Sequence, residues 1–189
     1  SGAYFRSFLE LNNEFRDKHI FYNLGNSKNT THTLADIELT NDLKKATCII
    51  LTFSTTDKKQ INACDIALKH ALNSKCTLVC FNPDITAPYG DKILYTPGYF
   101  AKKYEQLGGQ VMYFGKPYEG IYKFFIDKLL QETGITKQKT LAIGDSISTD
   151  IKGAKTFGID SLFLTSEKRK DQSSFNNQDP TKPTYSFQI

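Results

Sequence analysis

The chain has 189 residues, 39% of them hydrophobic and 23% charged, with a net charge of +4. At roughly one domain per 100–200 residues this is one domain or two small ones, long enough to bury a real core. Wholesale disorder is excluded, the charge is too mild and scattered for nucleic acid to be the main partner, and no apolar run nears the ~20 residues that span a bilayer. Cys48, Cys64, Cys76 and Cys80 show no Cys-x-x-Cys pairing, so a disulfide scaffold is not expected at this length. The composition predicts a reduced, soluble, cytoplasmic protein.

Taken in chain order, Phe5, Phe8 and Leu9 recur at helical spacing and predict a helix over 3–13. His19 to Leu24 reads as a short strand closed by Gly25, and the polar stretch 26–42 as a loop with one short strand at most. Cys48 to Phe53 is a continuous, β-branched apolar run, which suits a buried strand. Asp57 to Asn73 puts Ile61, Cys64, Leu68, Ala71 and Leu72 on one helical face, and Cys76 to Phe81 is a second buried strand stopped by Asn82-Pro83-Asp84. Pro97 starts a helix with Phe100, Tyr104 and Leu107 inward, and Gly108-Gly109 stops it. Val111 to Phe114 is a strand, 118–132 a helix with Ile121, Phe124, Phe125 and Leu129 on one face, and Thr140 to Ile143 a strand ending at Gly144-Asp145. Asp150 to Phe157 is a short helix and Asp160 to Leu164 the final strand. From Ser166 a polar tail follows, pinned at most by Tyr185 and Phe187. Strands alternating with helices predict an α/β fold with mainly parallel strands.

In open α/β sheets, ligands collect at the C-terminal ends of strands. Two such ends carry polar residues. At Gly115-Lys116-Pro117 the glycine permits a sharp exit, the proline fixes the backbone, and Lys116 stands between them as a point charge. At Gly144-Asp-Ser-Ile-Ser-Thr-Asp150, Asp145 leaves the strand end and Asp150 sits at the start of the next helix. Two carboxylates on one loop suit a hard cation such as Mg²⁺, with waters and phosphate oxygens completing its shell. Ordinary helix capping by Ser148 or Thr149, with Asp150 on the dipole, accounts for the same letters. A lysine and an acidic pair on neighbouring strand ends together make a site for a phosphorylated ligand.

Gly115-Lys116-Pro117, followed after one helix by Leu141 to Ala154 with its Gly-Asp…Thr-Asp core, resembles the third and fourth motifs of the haloacid dehalogenase-like (HAD) hydrolases, most closely subfamily IIA, whose members carry a large C2-type cap. Phe81-Asn82-Pro83-Asp84 is similar to a cap segment of that subfamily. The resemblance covers about residues 1–165. It implies a partial Rossmann-like core from residues 1–18 and 114–165, with an inserted α/β C2-type cap over 19–113 and the tail at 166–189. It implies that Lys116 is the motif-three lysine that stabilises the nucleophile and the transferring phosphoryl group. Asp145 becomes a Mg²⁺ ligand, Asp150 a support of the metal site directly or through water, and Asn82 and Asp84 substrate-binding residues.

One departure is as informative as the match. The family's first motif is Asp-x-Asp, whose first carboxylate is the nucleophile, and no two aspartates here are two residues apart. The second-motif Ser or Thr has no place either. The resemblance therefore implies a chain that opens partway through the catalytic core, with an uncovered sheet edge that an N-terminal fragment, a second copy or the tail must cover. Two functions follow: a Mg²⁺-dependent phosphatase of small phosphorylated metabolites, here without its Asp nucleophile and so inactive by itself, or a non-catalytic or split-enzyme remnant acting as a binding or oligomerisation module. A dinucleotide-binding domain is disfavoured, because no Gly-x-Gly-x-x-Gly follows any strand.

Overall fold

The computed structural model describes residues 1–25, 37–165 and 182–189, so most of the loop at 26–42 and the first part of the polar tail lie outside the described residues. The chain divides into two compact units, Ser1–Gly115 and Lys116–Ile189.

In the first unit, α1 (Gly2–Leu11) and α2 (Asn13–Lys18) lead into β1 (Phe21–Leu24). Then come β2 (Cys48–Leu51), α3 (Lys58–Asn73), β3 (Thr77–Cys80), β4 (Thr86–Tyr89), β5 (Lys92–Tyr95), α4 (Pro97–Gln106) and β6 (Gln110–Tyr113). Strands β1, β2, β3 and β6 form one sheet in that order, with every pairing parallel. β2 shows why its sequence is apolar throughout. Ile49 and Leu51 pack with Leu68, Phe100 and Tyr104 of α3 and α4, while Cys48 and Ile50 pack with Phe5 and Leu9 of α1. Successive residues face opposite layers, and both layers are helical. Residues 1–18, grouped on sequence with 114–165, pack here with residues 19–115. Burying Phe5 completely contributes about 1.5–3 kcal/mol to that packing.

Asp57 caps α3 by accepting the Lys59 N–H at 2.8 Å. The Lys103 ammonium ties α4 to α3 through Asp65 at 2.5 Å and lies 5.4 Å from the centre of the Tyr99 ring. Leu107, expected inward, is exposed, because α4 ends at Gln106 and the chain turns away. The antiparallel pair β4–β5 was not foreseen. Its strands are four residues long, one contains Pro88, and their side chains are mostly exposed, so no apolar alternation marks them.

The second unit contains α5 (Glu119–Thr133), β7 (Leu141–Gly144), a π turn at Ile147–Ile151, α6 (Lys152–Phe157), β8 (Asp160–Thr165) and β9 (Tyr185–Gln188). Its sheet runs β7-β8-β9, all parallel. The end of the polar tail is thus a strand. Thr184 locks it in place: Ser161 N–H donates to the Thr184 hydroxyl at 3.1 Å, and Thr184 N–H to the Ser161 hydroxyl at 3.2 Å. The inward face of α5 is rotated from the expected one, with Ile126 buried and Phe125 59% exposed. One face of the sheet buries Ser161 and Phe163. The register aligns Ile143, Leu162 and Tyr185 on the other face, beside Leu141 and Phe187, and there Ile143 is 60% and Phe187 61% exposed. The α/β architecture with parallel sheets matches the expectation from sequence. No helix among the described residues is long and apolar enough to cross a membrane.

All four cysteines are buried and none is in a disulfide. Burial pushes the Cys64 and Cys80 thiols up to about 12, and raises those of Cys48 and Cys76 as well. Their contribution to stability is therefore fully present below the ordinary thiol value of about 8.5 and is lost as pH rises toward 12. At pH 8 the native chain will leave Ellman's reagent almost unreacted, and all four thiols will titrate in 6 M guanidinium; rapid native labelling of any of them overturns this packing.

Candidate functional site

β7 ends at Gly144, and the chain leaves the sheet through Asp145 into the π turn. That turn is closed by two bonds to the Ser146 carbonyl, from Asp150 N–H at 2.9 Å and Ile151 N–H at 3.1 Å. The extra residue in the turn brings Asp150 back over the strand end. Its carboxylate lies against Gly144 so closely that a Cβ there would overlap it. The missing side chain of Gly144 makes the room that the Asp150 carboxylate occupies.

The Asp150 side chain is 10% exposed, and both of its oxygens are engaged. Lys116 Nζ donates to Oδ1, and Ser146 N–H donates to Oδ2 at 3.2 Å. A buried carboxylate without a counter-charge is expensive, and this pairing offsets the cost of burying Asp150 under the turn. The Lys116 side chain is 53% exposed. An ammonium has three N–H donors, and Asp150 Oδ1 takes one of them. The arrangement fixes the Lys116 ammonium on Asp150 near the end of β7, where the chain leaves the sheet through the exposed Asp145.

Tyr122, near the start of α5, reaches the same turn. Its hydroxyl donates toward the Asp150 carbonyl at 3.2 Å and lies 3.4 Å from that of Thr149. Burial, together with the Asp150 charge, pushes its phenol up to about 12. The spacing of motifs does not single out Tyr122; its only mark in the sequence is a polar-tipped aromatic on an otherwise apolar helix stripe.

The residues that the sequence points to are Lys116, Asp145, Asp150, Asn82 and Asp84. The first three lie in the second unit, and Lys116 and Asp150 are in direct contact. Asn82 and Asp84 lie in the first unit. There Asn82 Oδ1 accepts the Asp84 N–H at 3.2 Å, the Thr96 hydroxyl donates to the Asp84 carbonyl, and the Gly98 backbone abuts the carbonyls of Pro83 and Asp84. These contacts make the Asn-Pro-Asp segment a tightly locked turn. Among the described residues no group of three or more His, Cys, Asp or Glu could enclose a metal. Asp145 and Asp150 are hard oxygen donors, the type and number that suit a magnesium ion, which keeps waters and bridges to phosphate rather than needing an all-protein cage.

Residues 113–187 match the family model described as HAD-hydrolase-like. No curated protein matches the chain. Among solved structures, the chain is similar to a haloacid dehalogenase-like hydrolase from Brucella suis 1330, at 24% identity and TM-score 0.71, over 86% of this chain and 61% of that one. It is similar to a possible sugar phosphatase of the HAD superfamily from Cytophaga hutchinsonii, at 20% identity and TM-score 0.72, over 98% of this chain and 68% of that one. A p-nitrophenyl phosphatase from Archaeoglobus fulgidus gives 20% identity and TM-score 0.68, over 98% and 69%. The chain thus spans about three-fifths of the length of the Brucella protein. The resemblance read from Lys116 and the Gly-Asp…Thr-Asp segment stands: the family model carries it in sequence over residues 113–187, and the solved structures carry it in fold.

Replacing Gly144 by Ala will force the Asp150 carboxylate off the strand end and cost about 1–3 kcal/mol, read as a lowered urea midpoint. An unchanged midpoint shows that the turn yields freely. Tyr122 and Tyr104 both have phenols pushed up to about 12 by burial, so they will ionise late in an alkaline absorbance titration. The stability they contribute is present below the ordinary value near 10 and is lost as pH climbs to 12, which circular dichroism over that window will follow.

Proposed function

We propose that this chain carries the electrostatic part of a HAD-type phosphatase acting on small phosphorylated molecules. The observation that carries the reading is the Lys116 ammonium seated on the buried Asp150 carboxylate at the end of β7, next to Asp145. Lys116 binds the phosphoryl oxygens and neutralises charge that gathers on them during transfer. Asp145 would hold a Mg²⁺ ion when one binds, and Asp150 would support it while fixing Lys116. A magnesium ion there would withdraw charge from the same phosphoryl oxygens. In this reading residues 19–113 serve as the C2-type cap, with Asn82 and Asp84 on its substrate side, and the protein works in the cytoplasm.

The carboxylate nucleophile is not among these residues, since none of the aspartates forms an Asp-x-Asp pair. We place it on a further polypeptide segment, N-terminal in the family pattern, that pairs with β7 and covers the exposed Ile143 and Leu141 side chains. A parallel sheet is ordinarily covered on both faces, and β7 is an edge strand with apolar residues open to solvent. The second reading, a binding module without catalysis, draws on the same missing pair and differs in what accompanies the chain.

The test is phosphate binding by the chain itself. Inorganic phosphate, followed by isothermal titration, will bind more tightly with Mg²⁺ present. Lys116→Ala will weaken binding about tenfold or more, as loss of a charge-assisted bond implies, and Asp145→Ala will remove the effect of Mg²⁺. The chain alone will show no turnover of p-nitrophenyl phosphate. Phosphate binding indifferent to both substitutions overturns the site, and robust turnover abolished by Asp145→Ala overturns the placement of the nucleophile.

A further inference from the structure

Asp150 is held from two directions by one stretch of chain. Lys116 and Tyr122 stand six residues apart, at the opening of the second unit and in the first turns of α5. Lys116 takes the side-chain end of Asp150, and the Tyr122 hydroxyl takes its backbone end at 3.2 Å. The fit around the ring is close. A Cβ on Gly153 would overlap the Tyr122 ring and hydroxyl, so glycine at the start of α6 lets the phenol reach the turn. Phe157, one turn further along α6, stacks on the same ring at 5.8 Å between centroids. The ring is thus gripped by α6 while its hydroxyl is aimed at the π turn.

A purely apolar role would need only the ring. A phenylalanine would fill the space between Gly153 and Phe157 equally well. The hydroxyl adds a directed bond to the residue whose carboxylate orients Lys116. A π turn is an irregular stretch with one residue more than an α-helical turn, and a side-chain donor on its carbonyls is a way of holding it to one geometry.

We propose that Tyr122 is a positioning residue. Its hydroxyl fixes the backbone of Asp150, and through the Asp150 carboxylate it sets where the Lys116 ammonium stands for an anionic ligand. This rests on the reading of Lys116 as the phosphate-binding group, but the clamp itself can be tested without any ligand.

The experiment compares the full chain with Tyr122→Phe, Asp150→Asn and the double variant. Lys116 acetylation by a water-soluble succinimidyl ester is timed by peptide mass spectrometry, with the exposed Lys123 of the same helix as internal reference. Tyr122→Phe will raise the Lys116 rate about three- to fivefold, as expected for one lost hydrogen bond, and leave Lys123 unchanged. Asp150→Asn will raise it at least as much, and the double variant will add nothing to Asp150→Asn, because both act through one residue. An unchanged Lys116 rate in Tyr122→Phe, equal acceleration of Lys116 and Lys123, or additive effects in the double variant each overturn the proposal. If Tyr122→Phe does not fold, Tyr122→Met, which fills the gap with a flexible side chain, is read in the same way. Inorganic phosphate separates the two readings. Phosphate binding that Lys116→Ala leaves unchanged sinks the functional reading, yet the acetylation pattern still decides whether Tyr122 positions Lys116.

Discussion

A buried carboxylate organises the second unit. Asp150 lies under the π turn with little access to water, and an anion there must find charge and N–H donors in the protein. Lys116 supplies the charge and the Ser146 amide the second bond. Gly144 gives up a side chain so that the carboxylate can sit on the strand end. Breaking such a pair is costly because one partner is left stranded, while forming it contributes little net stability. Its value is positional: it holds a lysine head at one place on the surface.

That logic explains why chemistry gathers at this strand end. A parallel strand delivers its last residue to the rim of the sheet, and the chain must turn at once into the helix that covers one face. Here the turn is a residue longer than an α-helical one, which brings Asp150 back over β7 while leaving Asp145 exposed. One carboxylate is thus committed to holding an ammonium, and the other is exposed at the end of the strand. Tyr122 and Gly153 belong to the same construction, since the π turn has to be held from the helix side as well.

The two units solve burial differently. In the first, β2 is covered by α1 on one side and by α3 and α4 on the other, so its apolar run is fully used. In the second, the helical layer covers only one face, and Ile143, Tyr185 and Phe187 remain exposed on the other. An apolar, unpaired strand edge is ordinarily protected by a neighbour.

The local letters determined much of this. Continuous β-branched runs marked β2 and β3, Asp57 and Pro97 marked helix starts, Lys116 and Asp145 could be placed at strand ends because each follows an apolar run and one glycine, and Asp150 at the start of the helix beyond. Such signals act within a turn or two of the chain, so they are written in neighbouring residues. What needed the folded chain involves partners far apart. The bond between Lys116 and Asp150 spans 34 residues, and β9, whose aromatic–polar alternation runs over only four residues, is a strand where β8 and the Ser161–Thr184 pair receive it. The inward side of α5 settled on Ile126 rather than Phe125, since a rotation of one residue along a helix is decided by what packs against it. Hydrophobic periodicity specifies that an element exists and roughly where; only tertiary packing chooses its phase, its neighbours and which charge meets which.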